Sequence, residues 1–452
     1  MLRRVLPAWL GLAACALGCD ASVSAWSVRG GFLRAPDGRA AILRGVNLSG
    51  SQKSAPYLDD KTQSDYARVR DDWGMNGIRF VMTWAAIEPE EGRYDERYLD
   101  GVAERLRWAE ESGLLVVLDM HQDVYGEGFG FDGAPRWTCG AERYAAFVRQ
   151  DPWFLSVLDP NVIACVDEFY LRTDRRQRFV DAWRHVAERF AEHRAVVGFD
   201  VLNEPSWGSA AIADFERERL ASLYQDVVEA VRGAAPGWVA FLEPSASRNI
   251  GFDTGLRPFS FPNVVYAPHS YDAGAERGNG FEPSHRRQIL EQVQELAAEA
   301  RMLGAALWIG EYGGVATAPG ITEYMTAEYD AIGQVAAGSM YWAYDKSDGY
   351  GVLTPGGEEK TALLDALVRP YPERVAGDPI SYAFDPATSA FTLRYTPDLT
   401  LVLPTEISVP ARSYPGGYDV ECGGCRFEVR SGALVIADPG PLAPVTIVLS
   451  KR

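Results

Sequence analysis

Eight short apolar runs alternate with longer amphipathic segments along most of this chain, and that alternation limits its fold more than any other feature. The runs cover residues 43–47, 77–81, 114–121, 196–203, 238–243, 263–268, 306–311 and 339–344. Segments 64–73, 98–112, 176–193, 215–233, 284–302 and 324–336 carry helical spacing, with Ala182, His185, Val186 and Phe190 on one side of the third and Ser64 as an N-cap of the first. Strands that read as unbroken apolar runs are buried on both faces, and helices between them imply a parallel sheet. No Gly-x-Gly-x-x-Gly follows the first run, which argues against a nucleotide-binding doubly wound sheet. Polar residues instead collect at the C-terminal ends of many different strands. That is the active face of a (β/α)8 TIM barrel, predicted over residues 26–368 with a short hairpin, 26–33 with 40–43, at its start.

The pattern changes after the helical segment at 361–367. Pro370, Pro372, Gly377 and Pro379 break the chain, and short alternating runs follow at 390–395, 406–409, 418–421, 427–430, 434–436 and 445–449. They predict a C-terminal all-β, sandwich-like domain over 377–452. Before the barrel, a basic start at Arg3 and Arg4 and a short apolar run to Gly18 read as an export signal over 1–19. Cys15 or Cys19 would take lipid if the signal is of the lipoprotein type, so the expected location is secreted or lipid-anchored at the bacterial cell envelope. Four Cys follow the leader, and an even number in an exported chain favours disulfides. Proximity pairs Cys139 with Cys165 and Cys422 with Cys425. The net charge of −18 argues against a nucleic-acid partner and against attraction to an anionic membrane.

Two carboxylates carry the chemistry. Glu204 ends the run Phe199-Asp200-Val201-Leu202-Asn203 and precedes Pro205, while Glu311 ends Leu307-Trp308-Ile309-Gly310 and precedes Tyr312-Gly313-Gly314. A carboxylate at the tip of a buried strand is costly for stability and well placed for catalysis. Two of them on separate strands suit glycoside hydrolysis, one as acid/base and the other as nucleophile or base.

Asn203-Glu204-Pro205 after a strand, with Glu311 ending a later one, resembles family 5 glycoside hydrolases, the cellulase-like clan, over roughly residues 40–350. The segments Leu43-Arg44-Gly45-Val46-Asn47, Gly74-Met75-Asn76-Gly77-Ile78-Arg79, Asp119-Met120-His121-Gln122-Asp123-Val124-Tyr125-Gly126 and Gly133-Ala134-Pro135-Arg136-Trp137 are similar to the endoglycoceramidase branch, whose members cleave between a glycan and ceramide. Tyr341-Trp342-Ala343-Tyr344-Asp345 resembles the Trp segment on the site floor of these families.

The resemblance implies Glu204 as acid/base and Glu311 as nucleophile of a retaining β-glycosidase. Glu311 must then stay ionised and Glu204 must hold a proton, with its pKa raised, at a carboxyl separation of about 5–5.5 Å. By residue type, Asn203 offers a donor to the sugar 2-hydroxyl, Tyr271 a donor to the nucleophile and Arg79 a charge to keep Glu311 ionised. Trp342 offers a flat face, His121, Asp123 and His269 bind ring hydroxyls, and the loop residues Lys53 and Trp153 reach substrate. His185 and His285 read as surface or packing residues. No metal spacing is evident, and the chemistry needs no cofactor. The preferred substrate is a glycosphingolipid, for a monomer with peripheral contact to lipid or detergent. The rivals are a family 5 enzyme on soluble β-glycans and a glycolipid-binding protein without catalysis.

Overall fold

The eight apolar runs become eight parallel strands that close on themselves: β1 (Arg44–Leu48), β2 (Gly77–Thr83), β3 (Leu115–His121), β4 (Val196–Asp200), β5 (Val239–Leu242), β6 (Val264–Tyr266), β7 (Ala306–Tyr312) and β8 (Gly338–Tyr344). This computed structural model describes residues 25–452, so the leader and its two Cys lie outside it. The strands follow one another around the barrel in chain order, and β8 pairs with β1. Alternation within each strand divides the side chains. Val117, Val197, Val239, Phe241, Val265, Trp308 and Met340 form one buried cluster inside the barrel. Val116, Leu118, Val196, Ala240 and Val264 join the larger core under the helices. Gly45 is required on β1 by close approach, since a Cβ there would meet the Gly77 carbonyl oxygen at 1.7 Å.

The helices start where the chain supplies caps. Asp95 accepts from the Arg97 and Tyr98 N–H groups at the head of Glu96–Glu111, and Asp159 accepts from Asn161 N–H ahead of Pro160–Leu171. The second of these helices was not anticipated, although Asp159-Pro160 marks its start. Cys139–Cys165 ties it to the long loop after β3, and Cys422–Cys425 closes a hairpin, both as expected. The segment read as one helix over 215–233 opens as a π-helical turn, Phe215–Leu220, before the α-helix Ala221–Ala234.

The eight C-terminal strands divide between two antiparallel sheets, four making up one and four belonging to a second of seven. Sequence grouped the first hairpin with the barrel, but Ser27–Arg29, Phe32–Arg34 and Ala40–Ala41 extend the seven-stranded sheet through Tyr371–Val375. That pairing is long-range and leaves no local signal. The same hairpin brings Leu33, with Trp26 and Val28 beside it, against the barrel's inner cluster. The Tyr382 hydroxyl donates to the Ala337 carbonyl at 2.8 Å and the Ser408 hydroxyl to the Gly74 carbonyl at 2.7 Å, so barrel and sheets share a junction. Among the described residues no helix is long and apolar enough to cross a membrane.

Candidate active site

Register puts Asn47 beside Arg79, and Asp119 beside Asp200, at the C-terminal end of the barrel. Arg79 is fully buried there amid a ring of acids. Its Nε donates to Asp200 at 3.0 Å, one terminal nitrogen to Glu311 Oε1 at 2.6 Å, and the other to Glu243 Oε1 and Asn203 Oδ1, both at 2.9 Å. Asp119 lies 2.9 Å from the same nitrogen. Burial works against the guanidinium's charge, but Asp119, Asp200, Glu311 and Glu243 outweigh it and hold the group firmly protonated. Burial, with the crowding of like charges, pushes Asp119 and Asp200 well above the usual carboxylate range.

Glu204 and Glu311 meet above this cluster. One oxygen of each, together with a His269 ring nitrogen, lies within 4.8 Å of the others, close enough for the two carboxyls to act on one glycosidic bond. Glu311 takes Arg79 on Oε1 and the Tyr271 hydroxyl on Oε2 at 2.8 Å, as predicted for both residues. Glu204 has a positive φ of 41°, a left-handed conformation uncommon for a residue with a side chain. Its surroundings impose it: Glu204 N–H donates to Glu243 Oε2 at 2.8 Å, and Gln122 Nε2 donates to the carbonyls of Asn203 and Glu204 at 2.8 and 2.9 Å.

His269, expected by residue type to bind ring hydroxyls, meets carboxylates in this structure. It is buried among acids, with Nδ1 2.7 Å from Glu204 Oε1 and 3.6 Å from Glu311, and Nε2 3.3 Å from Glu243. Burial disfavours its charge, but Glu243 and Glu311 prevail and hold the imidazole protonated well above its ordinary range. This reverses the expected order of the two carboxyls. Burial raises Glu204, yet the hydrogen bond and charge of His269, then Asn249 and Lys53, bring it below the usual glutamate value. Glu311 is raised, mainly by burial, against the pull of His269 and Arg79. Burial and charge thus favour a proton on His269, one hydrogen bond from Glu204.

The remaining predicted residues fall on one wall, with one exception. Lys53 Nζ bonds Asp123 at 2.6 Å and stands 4.7 Å over the Trp342 ring. His121 stacks on Trp342 with centroids 5.2 Å apart, and its Nδ1 meets Asp119 at 2.7 Å. Burial, with the cations Lys53 and Arg79 nearby, keeps His121 neutral. Its Nε2 is buried and unpaired. Asn203, beyond its bond from Arg79, donates to the Gln122 carbonyl at 3.2 Å. Trp153 is the exception: it sits on the rim, 41% exposed, against Phe131.

Sequence reasoning passed over Glu243, Asp132 and Asn249. Glu243 had a signal, because Phe241-Leu242-Glu243-Pro244 repeats the strand-carboxylate-proline pattern of Glu204. Burial raises Asp132, beside Lys53 and Asp123, to about 8. Asn249 donates to Glu204 Oε1 at 2.6 Å from a loop with no distinguishing pattern.

The profile of the cellulase (glycosyl hydrolase family 5) family matches residues 36–348, and that of the glycoside hydrolase family 5 C-terminal domain matches residues 369–441. The chain is similar to endoglycoceramidase I of Rhodococcus hoagii, at 29% identity over 92% of this chain and 86% of that one. It is also similar to an endoglycoceramidase of Cyanea nozakii, at 26% over 85% and 84%. In structure it resembles endo-glycoceramidase II from a Rhodococcus species in complex with ganglioside GM3, with a TM-score of 0.84 and 32% identity over 93% and 99% of the two chains. The same enzyme has been solved as a lactosyl-enzyme intermediate, at a TM-score of 0.82 and 30% identity over the same shares.

Proposed function

The chain belongs to glycoside hydrolase family 5, and from that premise we propose that it is a retaining endoglycoceramidase, hydrolysing the bond between the glycan and the ceramide of a glycosphingolipid. The observation that carries the reading is the pairing of Glu204 and Glu311 within 4.8 Å at the tips of two barrel strands, one of them held by both Arg79 and Tyr271. Glu311, gripped on both oxygens, attacks the anomeric carbon, and Glu204 protonates the departing oxygen of the aglycone. The glycosyl-enzyme ester is then hydrolysed by water, with Glu204 as base.

The contacts of His269 fit this sequence. A charged His269 is stabilised by Glu311 at 3.6 Å. As Glu311 forms its bond to carbon, that negative charge disappears and the imidazole loses part of what keeps its proton. The proton then shifts across the 2.7 Å bond to Glu204, at the moment the leaving oxygen needs it.

The lipid aglycone is supported by apolar surface on the acid side of the cleft. Ile250 and Phe252 are 64% and 50% exposed, and they flank the loop whose Asn249 touches Glu204. Trp153, Leu155 and Leu158, on the loop after β3, are exposed as well. Scattered apolar residues need no explanation, but a group beside the acid/base suits acyl chains. The reading extends to export: the basic, then apolar leader supports secretion or lipid anchoring, and the chain is taken to act as a monomer on lipid or detergent surfaces. The test is hydrolysis of a panel of neutral glucosyl- and lactosyl-ceramides in detergent beside carboxymethyl-cellulose, with Ile250→Ser/Phe252→Ser as the lipid-contact variant. Intact glycan and ceramide should appear, and the variant should lose lipid hydrolysis while keeping a soluble aryl glycoside. Cleavage of cellulose without cleavage of any ceramide glycoside would transfer the assignment to soluble β-glycans.

A further inference from the structure

Asn249 belongs to the 3-10 turn Ala246–Ile250 in the loop after β5. Its Nδ2 donates to Glu204 Oε1 at 2.6 Å, the same oxygen that meets His269 Nδ1 at 2.7 Å. The turn is fixed from three directions. Ala246 N–H donates to the Pro205 carbonyl at 3.0 Å, directly behind Glu204. The buried carboxylate of Glu216, on the π-helical turn, accepts from Ser245 N–H and the Thr254 hydroxyl, both at 2.7 Å, and from Leu256 N–H at 3.2 Å, so it clasps both ends of the loop. Buried Arg248 donates to Glu299 and Glu295 on the helix Arg286–Leu303 at 3.2 and 3.3 Å. An amide carried on so constrained a turn, and aimed at one carboxylate oxygen, does more than fill space.

We propose that Asn249 is a positioning residue for the acid/base: it fixes Oε1 of Glu204 against His269 and so sets the pH range over which Glu204 carries the proton for the leaving group. The inference rests on the reading of Glu204 as acid/base. The cations that act on Glu204 are His269 and Lys53. The carboxylates are Glu243, which bonds its backbone N–H, with Glu311 and Glu276. The phenols of Tyr271 and Tyr350 complete the set. Asn249 stands apart from all of these as an uncharged donor to the acid's own oxygen. Its loss alters the acid/base without altering the charge of the site. A donor to a carboxylate favours the ionised form, so removing it favours the proton on Glu204.

The experiment follows kcat/KM against pH for wild type, Asn249→Ala and Asn249→Asp on lactosylceramide in detergent, whose alkoxide leaving group needs the proton, with Glu204→Ala as control. In Asn249→Ala the alkaline limb should move upward by roughly one pH unit, the size expected for one charge-assisted hydrogen bond. Asn249→Asp keeps the shape but sets a second carboxyl against Glu204, and should move the limb further in the same direction. Both limbs unmoved in both variants, whatever the fall in rate, would overturn the inference. Because Asn249 is half-buried at the rim of the cleft, at least one variant is expected to fold. If Glu204→Ala hydrolyses lactosylceramide at the wild-type rate, the acid/base assignment fails and this inference with it. An inactive Glu204→Ala beside unmoved limbs removes this inference alone.

Discussion

Replacing Arg79 by Met tests how the site holds its charge. The side chains are close in volume, so the change removes one guanidinium with little loss of packing. It leaves Asp119, Asp200, Glu243 and Glu311 at the barrel's end without their shared cation. Breaking a buried charge arrangement by removing one partner costs about 3–5 kcal/mol, and this one sits at zero exposure. The cost should depend on pH in a definite direction. Without Arg79 the pKa values of Asp119, Asp200 and Glu311 rise further, so the folded protein binds protons that the unfolded chain has released. Stability then falls as pH rises above the unfolded carboxylate range, by about 1.4 kcal/mol per pH unit for each such proton. Below the unfolded pKa, near about pH 4, both states are protonated and the deficit narrows. Urea unfolding of wild type and Arg79→Met at neutral pH and at about pH 4 measures this. Activity at neutral pH should vanish, because Glu311 would hold a proton. A deficit equal at both pH values, or below about 1 kcal/mol at neutral pH, would refute the view that Arg79 neutralises this cluster.

Tyr271→Phe removes a 2.8 Å donor from the nucleophile, so the acidic limb of kcat/KM should move up by roughly one pH unit and breakdown of the glycosyl-enzyme should slow about tenfold; an unmoved limb would contradict the assigned contact. Dialysis against EDTA should leave the rate unchanged, because the acidic groups close enough to hold a metal already face Arg79, Lys53 or a charged His269; a loss reversed by a divalent ion would contradict this. Deleting residues 371–452 should abolish hydrolysis of a soluble aryl glycoside as well as of lipid, because the first hairpin would lose its sheet and Ala337, at the entry to β8, its Tyr382 contact; aryl activity retained with lipid hydrolysis lost would instead make the sheets a lipid-presenting module.

The barrel was legible because its strands are buried on both faces and so read as apolar runs, and Glu204 and Glu311 stood out as charges where those runs stop. The observed strand β4 ends at Asp200 rather than at Asn203, since the last residues turn inward to aim Asn203 and Glu204. Arg79 and Tyr271 were found with their partners because charge and hydroxyl chemistry name the role directly. His269 was named, but its carboxylate partners were not. Whether a histidine meets a sugar or an acid depends on Glu243, which approaches from another strand, and the protonation order of the two catalytic carboxyls turns on that contact. Asn249 and the pairing of the first hairpin with Tyr371–Val375 depend on folded proximity alone, and no local pattern records either.

The central claim is that Glu311 forms a covalent glycosyl-enzyme during cleavage of a β-glycoside. An activated two-deoxy-two-fluoro β-lactoside, which forms the ester and releases it slowly, tests it most directly. After incubation and proteolysis, mass spectrometry should find one fluorolactosyl group on the peptide holding Trp308-Ile309-Gly310-Glu311, attached at Glu311. A label on Glu204, or inactivation without any covalent label, would contradict the account.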